Sequence, residues 1–210
     1  MSPRAYKSAR RDAAASATRE RIVAAAAAIL GAADGIRKFS LDAVAKKAGV
    51  TRLTVYNQFG SRRALMEAVF DERAERGGLF RIVEAMQDPD PQAALRRIIG
   101  IFCDFWSSDP GTMRLLHAAG ASDAEFAENV HERNERRRSV LSAIVRRLAA
   151  AGRAPPPKAL GNLVDVLFAL TSFAFFWQLT AGKRSAEAAR RMIEEMAMDA
   201  VTRALQRSEK

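Results

Sequence analysis

The sequence predicts an all-α chain. Apolar residues recur at helical three- and four-residue spacing, no segment alternates with period two for long, and β-branched runs are absent. The 12 Gly and 7 Pro fall mostly between the periodic segments, where they act as stops. With 210 residues, 49% hydrophobic and 28% charged, the chain has the composition of a folded globular protein and enough length for one or two cores.

About nine helices are expected. The first runs from about Thr18, a candidate N-cap, to Ala33, with Gly35 as its stop; its Ala-rich face permits close helix approach. Ser40 caps a short helix, Leu41–Ala48, ended by Gly49. Thr51 caps a second short helix to about Gln58, Gly60 breaks it, and Ser61 opens a helix from Arg62 to about Arg76. Gly77-Gly78 and QDPDP (87–91) are breaks, and Asp90-Pro91 reads as N-cap plus Pro at the first helical position of a helix to about Trp106. SSDPG (107–111) is a turn before a short helix to Ala119, and Ser122 or Asp123 opens a long helix to about Ala151. PPP (155–157) forbids helix, after which an apolar helix spans Lys158 to Ala181 and a last one Ser185 to about Arg207.

Charge is unevenly placed. The net charge is +10; residues 1–60 carry 11 Lys and Arg against 4 Asp and Glu, whereas residues 61–210 carry 23 against 20. A solubilising surface would not need this asymmetry, so the first third points to an acidic partner, nucleic acid first. One cysteine, Cys103, excludes an intrachain disulfide framework and suits a reducing interior. The basic start does not read as a signal peptide, because Arg19-Glu20-Arg21 abuts a run made mostly of Ala. Val166–Leu179 is too short to span a bilayer and is edged by Asp165. A cytoplasmic protein without a membrane partner is expected.

The two short helices joined at Gly49 form a helix-turn-helix candidate. Val44 and Ala48 fall one turn apart and can face the first helix, Ala45 is small where helices cross, and Gly49 supplies a turn conformation that Cβ-bearing residues resist. Val50 and Val55 pin the next helix inward, leaving Thr51, Arg52, Thr54, Tyr56 and Asn57 largely outside the core. Those residue types hold phosphates or read base edges.

The stretch FSLDAVAKKAGVTRLTVYNQFGSRRAL (39–65) resembles the DNA-binding domain of the TetR family of bacterial regulators through Val44, Ala45, Ala48, Gly49, Val50, Thr51, Thr54, Tyr56, Phe59, Ser61 and Leu65. Leu53 stands where the family usually has a smaller residue or Pro, Gln58 replaces a common His, Arg62 a Lys, and Arg63 an acidic residue. The resemblance implies that Thr51, Tyr56 and Arg62 hold phosphates and that Arg52, Leu53, Thr54 and Asn57 face bases; Lys46 and Lys47 read as solvated, with a minor electrostatic contribution. It implies three parts: a basic arm over residues 1–17, a three-helix DNA-binding domain over 18–62, and a helical effector-binding and dimerisation domain over 63–210. The arm, Arg4 to Arg11, either follows the DNA or is a tail.

A three-helix reader has a small footprint, and two copies about 34 Å apart would read a palindromic double-stranded operator. A homodimer is therefore expected. Its interface is assigned to the last two helices, where Leu160, Leu163, Leu167 and Leu170, and Ile193 and Met196, recur on one side. Phe102, Cys103, Phe105, Trp106, Met113, His117, Phe126, Phe168, Thr171 and Phe175 are expected to line a pocket for a small apolar or aromatic effector, with His117, Thr171, Asn129 and Gln178 as polar anchors. HERNERRR (131–138) reads as the solvated face of a long helix, with Glu132 and Arg136 paired one turn apart. The function expected is a repressor released by its effector. The alternatives are a regulator or activator without an effector and an all-α enzyme. The enzyme lacks its usual marks: the two histidines, His117 and His131, are not at metal-ligand spacing, and no phosphate-cradling loop or serine elbow occurs. No cofactor and no metal is expected.

Overall fold

The computed structural model describes residues 3–32, 35–122, 124–151 and 156–206. Every regular element among them is helical, and there are twelve rather than nine. The chain divides into two compact units: Met1–Glu72 with Gly111–Asn129, and Arg73–Pro110 with Val130–Lys210. The boundary between them at Glu72 and Arg73 lies within α5 (Arg62–Arg76).

The first unit opens with α1 (Pro3–Leu30), which begins well before the expected Thr18. Thr18 is not a cap: its hydroxyl donates to the Ala14 carbonyl at 2.8 Å, a bond available only inside a helix. Residues 3–17 thus belong to the helix; the arm's basic side chains, Arg4 to Arg11, lie outside the described residues, as does Ala33, its expected end. A single turn, α2 (Gly35–Lys38), leads to α3 (Leu41–Ala48) and α4 (Arg52–Phe59). Ile22, Ala26 and Leu30 of α1, Val44 and Ala45 of α3, and Val55 and Phe59 of α4 are buried. Their spacing makes one apolar stripe per helix, so α1 packs on α3 and α3 on α4. Most of α8 (Pro110–Ser122) and the start of α9 (Ala124–Ala150) also belong to this unit, contributing buried Met113, Leu116 and Phe126.

The second unit contains α6 (Arg81–Ala85), α7 (Pro91–Ser108), the greater part of α9, α10 (Pro157–Leu170), α11 (Phe173–Thr180) and α12 (Ala186–Gln206). Asp90 caps α7 by accepting from Gln92 N at 2.8 Å, with Pro91 at the first helical position, as its sequence requires. Packing joins α12 to α7 and α10. The helix expected over 158–181 is instead two, bent by 48°. The break has identifiable causes. Ser172 caps α11 by accepting from Phe175 N at 3.2 Å, and the Thr171 carbonyl accepts from the Trp106 indole at 3.0 Å. Among the described residues no single helix is long and apolar enough to cross a membrane. The expected start at Asp123, the first proline of the 155–157 run and the expected end at Arg207 lie outside the described residues.

The leucine stripe is also placed differently. Leu163, Leu167, Leu170 and Ile193 are buried in the interior of this chain, and Leu160 is half-buried. α10 packs on α12 and α11, so one face of each helix is covered without a partner. Met196, 41% exposed, alone of the expected interface residues stands clearly at the surface, and Val166, which was not among them, is exposed to the same degree.

Candidate nucleic-acid interface

The frame of the candidate site is set by helix ends. Ser40 Oγ accepts from Ala43 N at 3.1 Å and starts α3. At its other end Gly49 is left-handed, φ 67°, while Val50 N donates to Ala45 O at 3.0 Å and Gly49 N to Lys46 O at 3.4 Å. This is a Schellman closure, and it needs a residue for which positive φ costs little. Thr51 then caps α4: its hydroxyl accepts from Thr54 N at 3.1 Å and lies 2.8 Å from the Thr54 hydroxyl. Gly60, φ 73°, ends α4, and its N–H donates to the Tyr56 carbonyl at 2.7 Å.

With both ends fixed, Val55 and Phe59 turn inward and the rest of α4 turns out. Leu53 is 65% exposed and Tyr56 56% exposed, and Thr51, Arg52 and Asn57 are exposed too. Thr54 is half-buried against its partnership with Thr51. Large hydrophobic surface left bare on an otherwise polar helix is what an interaction face presents. Arg52 reaches Asp42 on α3 at 3.5 Å, an exposed pair that a stronger anion can displace. Lys46 and Lys47, exposed in the last turn of α3, complement its dipole and add positive charge.

Arg62 is more engaged than its expected role suggests. Its Nε donates to the Phe39 carbonyl at 3.3 Å and its guanidinium lies 5.4 Å from the Phe39 ring. Arg63 pairs with Glu67 in its own helix at 2.7 Å. Sequence reasoning missed Arg19. From α1 it donates to the Gln58 carbonyl at 3.2 Å and stands 4.3 Å over the Phe59 ring, clamping the end of α4. Those residues are 39 and 40 positions apart, and no local spacing announces such a contact.

The residues expected to line an effector pocket are drawn from both units. Met113, His117 and Phe126 belong to the first unit, whereas Phe102, Cys103, Phe105, Trp106, Phe168, Thr171 and Phe175 belong to the second. Of the expected anchors, Thr171 is buried and its hydroxyl is engaged, donating to Leu167 O at 2.8 Å and accepting from Arg137 at 3.2 Å. Gln178 is exposed, and the Asn129 side chain lies outside the described residues. Cys103 is buried, and loss of hydration pushes its thiol up to about 12, so it stays neutral and a poor nucleophile.

A capped pair of short helices with a buried inner stripe and a bare polar outer face defines a helix-turn-helix protein. Residues 22–69 match the family model described as "Bacterial regulatory proteins, tetR family". Over that segment the chain is similar to the TetR family. It is 39% identical over 110 residues to the HTH-type transcriptional regulator EthR of Mycolicibacterium smegmatis, a match covering 49% of this chain and 50% of that protein. It thus spans about half the length of that relative. It is 26% identical over 132 residues to the nucleoid occlusion factor SlmA of Vibrio atlanticus, covering 61% and 66%. In fold it is similar to the crystal structure of a TetR-like transcriptional regulator from Rhodococcus sp. RHA1, with TM-score 0.68 and 18% identity over 88% of this chain and 96% of that one.

Proposed function

We propose that the protein is a DNA-binding transcriptional regulator that binds a palindromic operator as a homodimer, represses from it, and is released by a small apolar or aromatic effector. The observation that carries the reading is the outer face of α4: the caps and two buried side chains hold the helix, so its polar and basic residues are left for a partner. Arg52 is assigned to a guanine edge, with Leu53, Thr54 and Asn57 toward bases. Thr51, Tyr56 and Arg62 hold phosphates, and Lys46 contributes charge.

The homodimer is assigned to the outer surface of α10 and α12, which Leu163 of the leucine stripe reaches and the more deeply buried Leu167 does not. A groove of about 260 Å³ runs there between Ala159, Asn162, Leu163, Val166, Ala200 and Arg203, apolar for most of its lining. The effector reading draws on the aromatics of the second unit, Phe102, Phe105, Trp106, Phe168 and Phe175. In this mechanism the effector binds one of two dimer states more tightly and so shifts the spacing of the two reading heads. A second reading is a DNA-binding regulator or activator without a small effector; one relative is named a nucleoid occlusion factor and not a transcriptional regulator.

Selection of bound sequences from a random DNA pool, repeated with a panel of compounds, tests these readings. An enriched palindrome lost on adding a compound is expected. No enriched palindrome overturns the DNA-binding reading, and a palindrome insensitive to every compound favours the second.

A further inference from the structure

We infer that Arg137 is an anchor for an anionic effector: the ligand of the second unit carries a carboxylate that pairs with this guanidinium beside Phe168, Thr171 and Trp106. The inference rests on the effector reading above and narrows it from an apolar compound to an amphipathic acid.

Arg137 sits within HERNERRR, yet only 8% of it is exposed, whereas Glu132 and Arg136 of the same run are exposed. Its donors meet only neutral oxygens: the Phe168 carbonyl at 3.0 Å, the Thr171 hydroxyl at 3.2 Å and Asn134 Oδ1 at 3.3 Å. The nearby carboxylates are taken by Arg138, which pairs with Glu135 at 3.7 Å and with Asp165. Both guanidinium groups stand against Phe168, at 4.0 and 4.2 Å from its ring. Burial first, and the Arg138 charge second, lower the Arg137 pKa to about 10, which still leaves it charged at neutral pH.

A buried cation without a counter-ion is costly, and the carbonyl end of α10 supplies about half a charge at best. Three of five N–H groups are bonded; Nε–H and one Nη2 hydrogen have no acceptor among the described residues. A carboxylate satisfies two such donors at once, as a fork. A buried aromatic cluster adjoins the guanidinium through Thr171, of the chemistry an apolar ligand body would meet. Trp106 is bonded to the Thr171 carbonyl, and its ring continues to Phe173 at 5.6 Å and from there to Trp177 at 6.0 Å.

The rival account is that Arg137 merely caps the end of α10. Calorimetric titration of the full chain with naphthalene-2-carboxylate and dodecanoate, each against its primary amide, separates the two. The carboxylate of at least one pair should bind about tenfold or more tightly than its amide. Arg137→Gln should abolish that preference and leave amide binding unchanged. Should Arg137→Gln lose its helical circular dichroism, Arg137→Lys decides, because it keeps the charge and loses the fork: a reduced preference supports the anchor, an undiminished one overturns it. Equal binding of acid and amide by the unmodified protein, or a preference that survives Arg137→Gln, overturns the anchor and leaves the effector reading standing. Failure of all four probes to bind counts against both.

Discussion

The α4 region and the α9–α10 region contain the same kinds of residues and use them in opposite ways. In α4, polar and large side chains that the core does not need stand in solvent, including Leu53 and Tyr56. In α9 and α10, residues that look destined for outside are inside: Arg137 of a charge run, and Leu163, Leu167 and Leu170 of a stripe suited to a partner. The lesson concerns periodicity. A stripe at helical spacing identifies the face that is covered, but it does not say what covers it.

The largest effect that tests this contrast is in α10. Leu167→Ala should destabilise the protein by about 2–5 kcal/mol, as expected for a fully buried leucine, and the loss should be the same at low and high protein concentration in chemical denaturation. A loss that grows on dilution would return Leu167 to a partner-facing role. In α4 the effect moves from stability to recognition. Arg52→Ala should remove about 1–3 kcal/mol of discrimination at one base-pair position, read by binding to a panel of single-site operator variants. Arg62→Ala should weaken all sequences alike and reduce the salt slope by about one. If Arg52→Ala also weakened every sequence equally, its base-reading assignment would be wrong. The smallest effect belongs to the solvated part of the charge run. Glu132 lies 3.8 Å from Arg136 with both side chains more than half exposed, so Glu132→Gln should shift the denaturation free energy by no more than about 0.5 kcal/mol.

Local chemistry was legible in the sequence wherever it is decided locally. Ser40, Thr51, Ser61, Asp90 and Ser185 all accept from a backbone N–H two or three residues on, as short polar residues before a periodic run should. Gly49 and Gly60 mark the ends of α3 and α4 for the same kind of reason, a positive φ. What was not legible depends on partners distant in sequence. Thr18 has the chemistry of a cap, but the alanines before it continue the helix and its hydroxyl finds Ala14 instead. The break at Thr171-Ser172 is invisible in an apolar run because it depends on Trp106, 65 residues earlier, and Arg137, 34 residues earlier. Arg19 escaped for the same reason. In the candidate site, the residues turned outward by α4 could be read from Val55 and Phe59 alone, whereas the clamp that holds the helix in place could not.

The capping of α4 has a consequence for how this domain can change. Thr51, Val55, Phe59 and Gly60 hold the helix, and Arg19 steadies its last turn; Leu53, Tyr56 and Asn57 are not among those supports. Exchanging them should cost the fold about 0.5 kcal/mol or less apiece, the ordinary range for surface substitutions. The helix therefore behaves as a cassette: a lineage drifting toward a new operator, or an engineer selecting one, can rewrite the lettering without rebuilding the page.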